Sequence, residues 1–294
     1  SINSPGRTRV KADTSKLIKP TGIARSQSNE SSASKPSATV SSIPVSATAG
    51  FKASSAKETA HSFGDMPATE QLRPRGHSKI NLGVKWVSKQ ADGLYLQSQY
   101  GTLRISPVGS GIIRMTFARG TTLKGNVHPM IAVKKTDGRW KYRDSGRLVE
   151  LSTGEVTVQI EKASGAVKYL DAKGTSLLSE RRQEGRQCDE KGSWLFFDLQ
   201  KGEQLFAMGP AGQGGLKLRG SARYISTGEG LPFLMSDKGY GILPATSGKV
   251  INCDIPAYGS YLYMEGQEQQ DYYFIAGKQQ QNILNAYKFL CGNL

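Results

Sequence analysis

The chain has 294 residues, 37% of them hydrophobic, and carries 39 Lys and Arg against 24 Asp and Glu for a formal net charge of +15. That length allows one large domain or two ordinary ones with a sizeable core, and no apolar run approaches the roughly 20 residues of a membrane-spanning helix. The charge poses the question of nucleic acid, but it is spread along the chain with no aromatic-basic signature of a known module, so neither nucleic acid nor membrane is expected as a partner.

Residues 1–77 are rich in Ser, Ala, Thr, Lys and Pro, hold eleven Lys and Arg against five Asp and Glu, and show no sustained apolar period. Such a segment cannot bury enough surface to offset its ordering entropy, and the expectation is a disordered tail. Its basic, Ser-rich composition is that of an organelle transit peptide, and equally that of a plain flexible extension. The chain starts with Ser rather than Met, so its natural start is read as missing.

From Leu82 onward, alternating or short apolar runs recur between turn signals. "VKWVS", "DGLYLQSQ", "GTLRISPV" and "GIIRMTFA" come first, then "RLVELS", "GEVTVQIEK", "GAVKYLDAKG" and "TSLLSE", with tight turns expected at Thr153-Gly154 and Ser164-Gly165. The run "ERRQEGRQCDEKG" alternates sign and reads as a solvated loop. Beyond it lie "WLFFDLQ", "EQLFAMG", "GLKLRG", "ARYIS", "LPFLMS", "YGILPA", "KVINCD", "SYLYMEG" and "QDYYFIAG". No helical period intervenes between these runs, which predicts a mainly β fold, a large antiparallel β-sandwich. In "KQQQNILNAYKFLCGN" the spacing of Ile283, Leu284, Ala286, Tyr287, Leu290 and Cys291 switches to that of a helix, and Gly292-Asn293 supplies its stop. The expected organisation is a tail over 1–77, a sandwich over 78–277 and a C-terminal helix over 278–294 that leads out of the domain.

The glycine-rich stretch "LFAMGPAGQGGLKLRG" invites comparison with a phosphate-binding loop. That chemistry needs a helix directly behind the glycines and a Gly-Lys-Ser/Thr, and neither is present; Leu216, Leu218, Ala222 and Tyr224 follow at strand spacing. The glycines are therefore read as a strand turn. Cys188, Cys253 and Cys291 have no CxxC spacing, which argues against a disulfide framework and a zinc site and for reduced, buried thiols in a cytoplasmic protein. His61, His77 and His128 are too far apart to suggest a metal site, and no nucleophile elbow accompanies the serines. Asp198, Glu203, Glu229 and Asp237 have no spacing signature, so no catalytic residue, metal or cofactor is assigned.

Three segments in order carry a resemblance: Phe206 with Gly209, then Pro232-Phe233 with Gly239, Tyr240 and Gly241, then Asp271 to Phe274 with Gly277. Together they resemble the N-terminal, galactose-mutarotase-like supersandwich domain of glycoside hydrolase family 31, the α-glucosidases and α-xylosidases, over roughly Leu82 to Leu294. The resemblance implies a non-catalytic part of a retaining α-glycosidase. In that family both carboxylates belong to a (β/α)₈ barrel that follows the sandwich, and this barrel is the expected partner, with an α-linked oligosaccharide as substrate. It also implies that the loop after the glycine turn reaches the substrate. Here that loop is "RGSARYISTGEG", which lacks the family's Trp and Asp, and its candidate substrate-binding side chains are Arg219, Arg223, Tyr224 and Glu229. The same loop also reads as an ordinary exposed hairpin. Tyr261, Tyr263, Tyr272, Tyr273 and Phe274 read as core and surface of the sandwich before they read as a sugar platform. Two other function classes fit a large sandwich: a stand-alone carbohydrate-binding module, and a mutarotase. The latter requires a facing His and Glu, for which His128 is the only histidine of the expected folded part.

Overall fold

Alternation along single strands explains most of the architecture. In Val156–Glu161 the residues Val156, Val158 and Ile160 are fully buried while Thr157, Gln159 and Glu161 between them are half-buried, the period of two that puts one face of a strand into a core. A computed structural model describes residues 60–72, 79–135, 139–209, 215–226, 230–266 and 269–292. Among the described residues there are nineteen strands and two helices. In chain order they are α1 (Thr69–Leu72), β1 (Val84–Gln90), β2 (Gly93–Ser98), β3 (Gly101–Gly109), β4 (Ile112–Arg119), β5 (Lys141–Asp144), β6 (Leu148–Ser152), β7 (Val156–Glu161), β8 (Val167–Asp171), β9 (Ser176–Glu180) and β10 (Arg186–Cys188). They continue with β11 (Gly192–Asp198), β12 (Leu205–Ala207), β13 (Leu216–Lys217), β14 (Ala222–Tyr224), β15 (Leu234–Ser236), β16 (Tyr240–Pro244), β17 (Val250–Ile255), β18 (Gly259–Glu265), β19 (Gln269–Ala276) and α2 (Gln280–Cys291).

The strands form two antiparallel sheets. One has nine strands in the order β1-β2-β3-β4-β19-β16-β15-β12-β13; the other has ten, in the order β14-β17-β18-β11-β9-β8-β7-β6-β5 with β10 paired to β11. The inner faces close on a core that includes Ile105, Met115 and Phe117 from the first sheet and Val158, Tyr169 and Leu262 from the second. The antiparallel sandwich expected from the sequence is thus the fold observed. Two strands escaped the sequence reading. The first, β5, is a Lys-Tyr-Arg-Asp edge strand with no apolar alternation, and the second, β10, lies inside the charged run.

That charged run is not a solvated loop. Arg186 and Glu180 are 2% and 3% exposed, and Arg186 Nη1 donates to Glu180 Oε2 at 2.5 Å. The carboxylate also accepts from the backbone N–H of Val167 at 3.1 Å, and the guanidinium lies over the Phe117 ring, 4.9 Å from its centroid, on the opposite sheet. Burial pushes the Glu180 carboxyl up, with the Arg186 charge, the Val167 N–H and the hydrogen bond from Arg186 opposing it. Two further polar ties cross the sandwich: the hydroxyls of Tyr169 and Tyr272 meet at 2.8 Å, and Gln270 Nε2 donates to the Trp194 carbonyl at 2.7 Å.

Part of each outer face is covered. Helix α2 starts where Asn282 Oδ1 accepts the Gln279 N–H at 3.1 Å and stops at Gly292, whose φ of 71° suits glycine. It lays Ile283 and Leu290 on the outer face of the nine-stranded sheet against Phe233, Leu243 and Tyr273. Close approach there needs Gly241, where a Cβ would sit 2.7 Å from Ile283 Cγ2 and 2.9 Å from the Phe233 ring. The sequence pair around Tyr240 is accordingly structural: Gly239 turns at a φ of 95° and Gly241 underlies an aromatic ring. On the other side, residues 60–72 lie along the ten-stranded sheet, with Leu72 buried among Trp194, Phe196, Tyr224 and Tyr261. These residues fall within the stretch expected to be a disordered tail; residues 1–59 and 73–78 lie outside the described ones.

Removing one partner of the Arg186–Glu180 pair strands a buried charge, which costs roughly 3–5 kcal/mol, whereas replacing both by apolar residues costs far less. Arg186→Met alone is expected to lower the urea midpoint sharply, and Arg186→Met with Glu180→Leu to recover most of the loss. Single variants within about 0.5 kcal/mol of the parent would show the pair to be dispensable.

Candidate functional site

The expected substrate loop begins at the far end of the glycine-rich stretch. Strands β12 and β13 pair with Phe206 opposite Lys217 and Ala207 opposite Leu216, so the stretch joins two adjacent strands, as read from the sequence; residues 210–214 lie outside the described ones. Gly215 permits this pairing, since a Cβ there would lie 2.8 Å from that of Phe206.

Arg219 is held inside the domain. Its Nε donates to Asp254 Oδ2 at 2.9 Å and its Nη1 to the carbonyls of Gln200 and Glu203, the former at 3.2 Å. Asp254 also accepts from the Gly220 N–H at 2.8 Å and the Ser260 hydroxyl at 2.6 Å. Burial works against the Asp254 charge, but these hydrogen bonds together hold its carboxyl below the usual carboxylate range. Arg223 donates from Nη1 to the Gly64 carbonyl at 3.2 Å, while its Nε is buried with no hydrogen-bond partner. Tyr224 is 5% exposed. Its ring stacks on His61 at 4.0 Å between centroids, its hydroxyl donates to Gln71 Oε1 at 2.7 Å, and its backbone pairs with Gly64 and Asp65. Glu229 lies outside the described residues.

The structure therefore brings Arg223 and Tyr224 together beneath the segment 60–72, and binds Arg219 separately to β17 through Asp254. Beside them opens a cleft of about 650 Å³ lined by His61, Ser226, Pro232, Thr246, Ser247 and Lys249, among others. His61 Nε2 lies 3.1 Å from Ser226 Oγ, and His128 Nε2 lies 2.7 Å from Ser247 Oγ. An imidazole, several hydroxyls and an ammonium can hydrogen-bond a polyhydroxylated ligand. The described residues that line the cleft include no Asp or Glu. Sequence reasoning missed this site because one side of its wall, His61, Ser62 and Phe63, comes from the segment read as tail. The signals available were slight: a Gly64-Asp65 turn between Phe63 and Met66, and Leu72 at the end of a short helix.

The buried acids are committed elsewhere. Glu203 accepts from Ser236 Oγ at 2.6 Å and from the Tyr240 hydroxyl, Asp271 pairs with Arg114 at 2.7 Å, and Glu180 pairs with Arg186. Among the described residues no cluster of His, Cys, Asp and Glu has the arrangement to hold a metal ion, and the three cysteines are buried and unbridged. No described helix is long and apolar enough to cross a membrane.

No family model and no curated protein matches this sequence. Solved structures do match its fold. A GH31 dextranase from Flavobacterium johnsoniae, complexed with glucose, aligns with a TM-score of 0.62 at 19% identity over 74% of this chain and 29% of its own. The fold is one that GH31 enzymes carry. A GH31 α-xylosidase from a soil metagenome, complexed with xylose, aligns at 0.61 and 18% identity over 71% of this chain and 35% of its own. The GH31 α-xylosidase of Xanthomonas citri aligns at 0.61 and 15% identity over 69% and 40%. The chain thus corresponds to 29–40% of the length of these three GH31 proteins.

The covering of Tyr224 generates a test. Tyr224→Ala removes both the ring under His61 and the hydroxyl on Gln71, so local opening of residues 60–72 should become easier and proteolytic cleavage there at least ~10-fold faster, with the remaining sandwich still resistant. Unchanged cleavage would mean that the segment is held by other contacts.

Proposed function

We propose that this chain is the N-terminal, non-catalytic sandwich of a GH31-type retaining α-glycosidase, whose catalytic carboxylates reside in a (β/α)₈ barrel of the same polypeptide. The match that covers about three quarters of this chain but less than a third of the dextranase carries the reading. The three sequence segments around Phe206, Tyr240 and Asp271 support it independently, and so does a cleft that offers hydrogen-bond donors without a carboxylate pair. The substrate is an α-linked oligosaccharide. The sandwich's role is to brace the barrel and to wall one side of its pocket with the cleft beside Ser226.

In this arrangement the cleft acts through binding. Hydroxyl and ammonium groups at Ser226, Thr246 and Lys249 orient sugar hydroxyls, and the barrel performs bond cleavage. Groups that bind substrate and transition state alike change KM rather than kcat. In the complete polypeptide, Lys249→Ala and Ser226→Ala should each raise KM roughly 3- to 10-fold with kcat nearly constant, the size of one lost hydrogen bond. A fall in kcat with KM unchanged, or no effect of either substitution, would remove the cleft from the substrate pocket.

A further inference from the structure

After β4 the chain folds back over the outer face of the nine-stranded sheet, and residues 120–135 carry neither helix nor strand. Separate anchors hold this segment. The Asn126 carbonyl accepts from Arg114 Nη2 at 2.9 Å, and Val127 and the buried Ile131 join the apolar cluster of Phe233, Leu243 and Ile283. The Ala132 N–H donates to the Leu290 carbonyl of α2 at 2.7 Å. Between these anchors lies one tight turn, closed by the Ile131 N–H on the His128 carbonyl at 2.9 Å, with Pro129 in its second position. Met130 in this turn lines the cleft described above, and so does Ser247 on another wall.

The His128 ring bridges the two. Its Nδ1 accepts the Met130 N–H at 3.1 Å, which fixes the proton of the neutral ring on Nε2, and Nε2 lies 2.7 Å from Ser247 Oγ and donates to it. A second proton has no place in this geometry: Nδ1–H would point at the Met130 N–H, donor against donor. Asp271 of β19 favours the charged ring but is itself held by Arg114 through two bonds, at 2.9 and 2.7 Å. Lys134 disfavours it, since its ammonium donates to the carbonyl of His128 at 3.2 Å. Lys249, beyond Ser247, and His61 line the same cleft. Burial holds the imidazole below its ordinary value, with Asp271 opposing this and Lys134 adding to it.

We propose that His128 is a pH-sensitive latch across the rim of this cleft: neutral, it ties the turn at Met130 to Ser247, and on taking up a proton it releases Met130 and the two rims part. Above about pH 6.5 the imidazole is neutral in the latched and the released turn alike, and the latch is at full strength. As pH falls from there through the lower value of the latched ring, proton uptake favours release. The anchors at Asn126, Ile131 and Ala132 contain no group that titrates, so the segment stays on the sheet while its turn opens. The inference does not depend on the glycosidase reading.

The test uses the full chain in NMR and compares variants at the same pH, so that the intrinsic pH dependence of amide exchange cancels. His128→Asn puts an amide oxygen where Nδ1 accepts, keeps the bond to the Met130 N–H and cannot titrate. Near neutral pH the Met130 amide should exchange equally in the parent and this variant. At about pH 4.5 it should exchange at least about tenfold faster in the parent. The His128 ring should titrate with a midpoint below about 6.5, and its cross-relaxation with the Ser247 β-protons should disappear with that same midpoint. His61→Asn should change none of this. Equal exchange at the acidic pH, a His128 midpoint at or above about 6.5, or contact with Ser247 that persists once the ring is charged would each overturn the proposal. So would a response that His61→Asn abolishes.

Discussion

The Arg186–Glu180 pair sets the terms for the rest of the sandwich. Apolar burial between two sheets is strong but non-directional, and alone it lets one sheet slide over the other. A charge pair in that interior behaves differently, because its desolvation is offset only in one geometry. Here the carboxylate sits on β9, accepts a hydrogen bond from the backbone N–H of Val167 at the start of β8, and directs the guanidinium of β10 onto Phe117 of the opposite sheet. The Tyr169–Tyr272 contact and the bond from Gln270 to the Trp194 carbonyl repeat the device at two other places, each joining one sheet to the other. Tyr100 adds a fourth, donating to the Cys188 carbonyl and accepting the Cys188 N–H, both at 2.9 Å.

With the interior closed in this way, chemistry could reside only on the outside, and part of each outer face is covered. Helix α2 packs on one outer face and residues 60–72 on the other. Two aromatic residues that face outward, Tyr224 and Tyr261, are spent on packing: the Tyr261 hydroxyl is bonded to the Leu72 carbonyl and Tyr224 is stacked on His61. The cleft between the covering segment and the loop before β15 is polar and lacks acids among its described lining. A polar cleft with no carboxylate among its described lining is compatible with the proposed role as one wall of a neighbouring site.

Much of this was legible in the sequence, for identifiable reasons. Period-two alternation with turn glycines located seventeen strands, and the shift to helical spacing at Ile283 located α2, because burial of one face leaves a periodic trace. β5 left none, being an edge strand with its charged residues in solvent. The charged run was misread because sign alternation looks the same whether the charges face water or each other, and only the three-dimensional environment separates Arg186 from its exposed neighbour Arg182. The candidate loop residues were read from chemistry alone. Tyr224 and Arg223 bear groups able to meet a sugar, but the partners they have in the structure come from about 160 positions earlier in the chain, a distance across which no local pattern carries information.

The central claim is that this sandwich supports a reaction without hosting one, and an assay of the isolated chain tests it most directly. Purified protein incubated at high concentration with aryl α-glucoside and aryl α-xyloside is predicted to release no aryl alcohol above the uncatalysed rate. Turnover that persists through purification and disappears when one of the chain's own carboxylates, such as Glu203 or Asp271, is replaced by its amide would contradict the account.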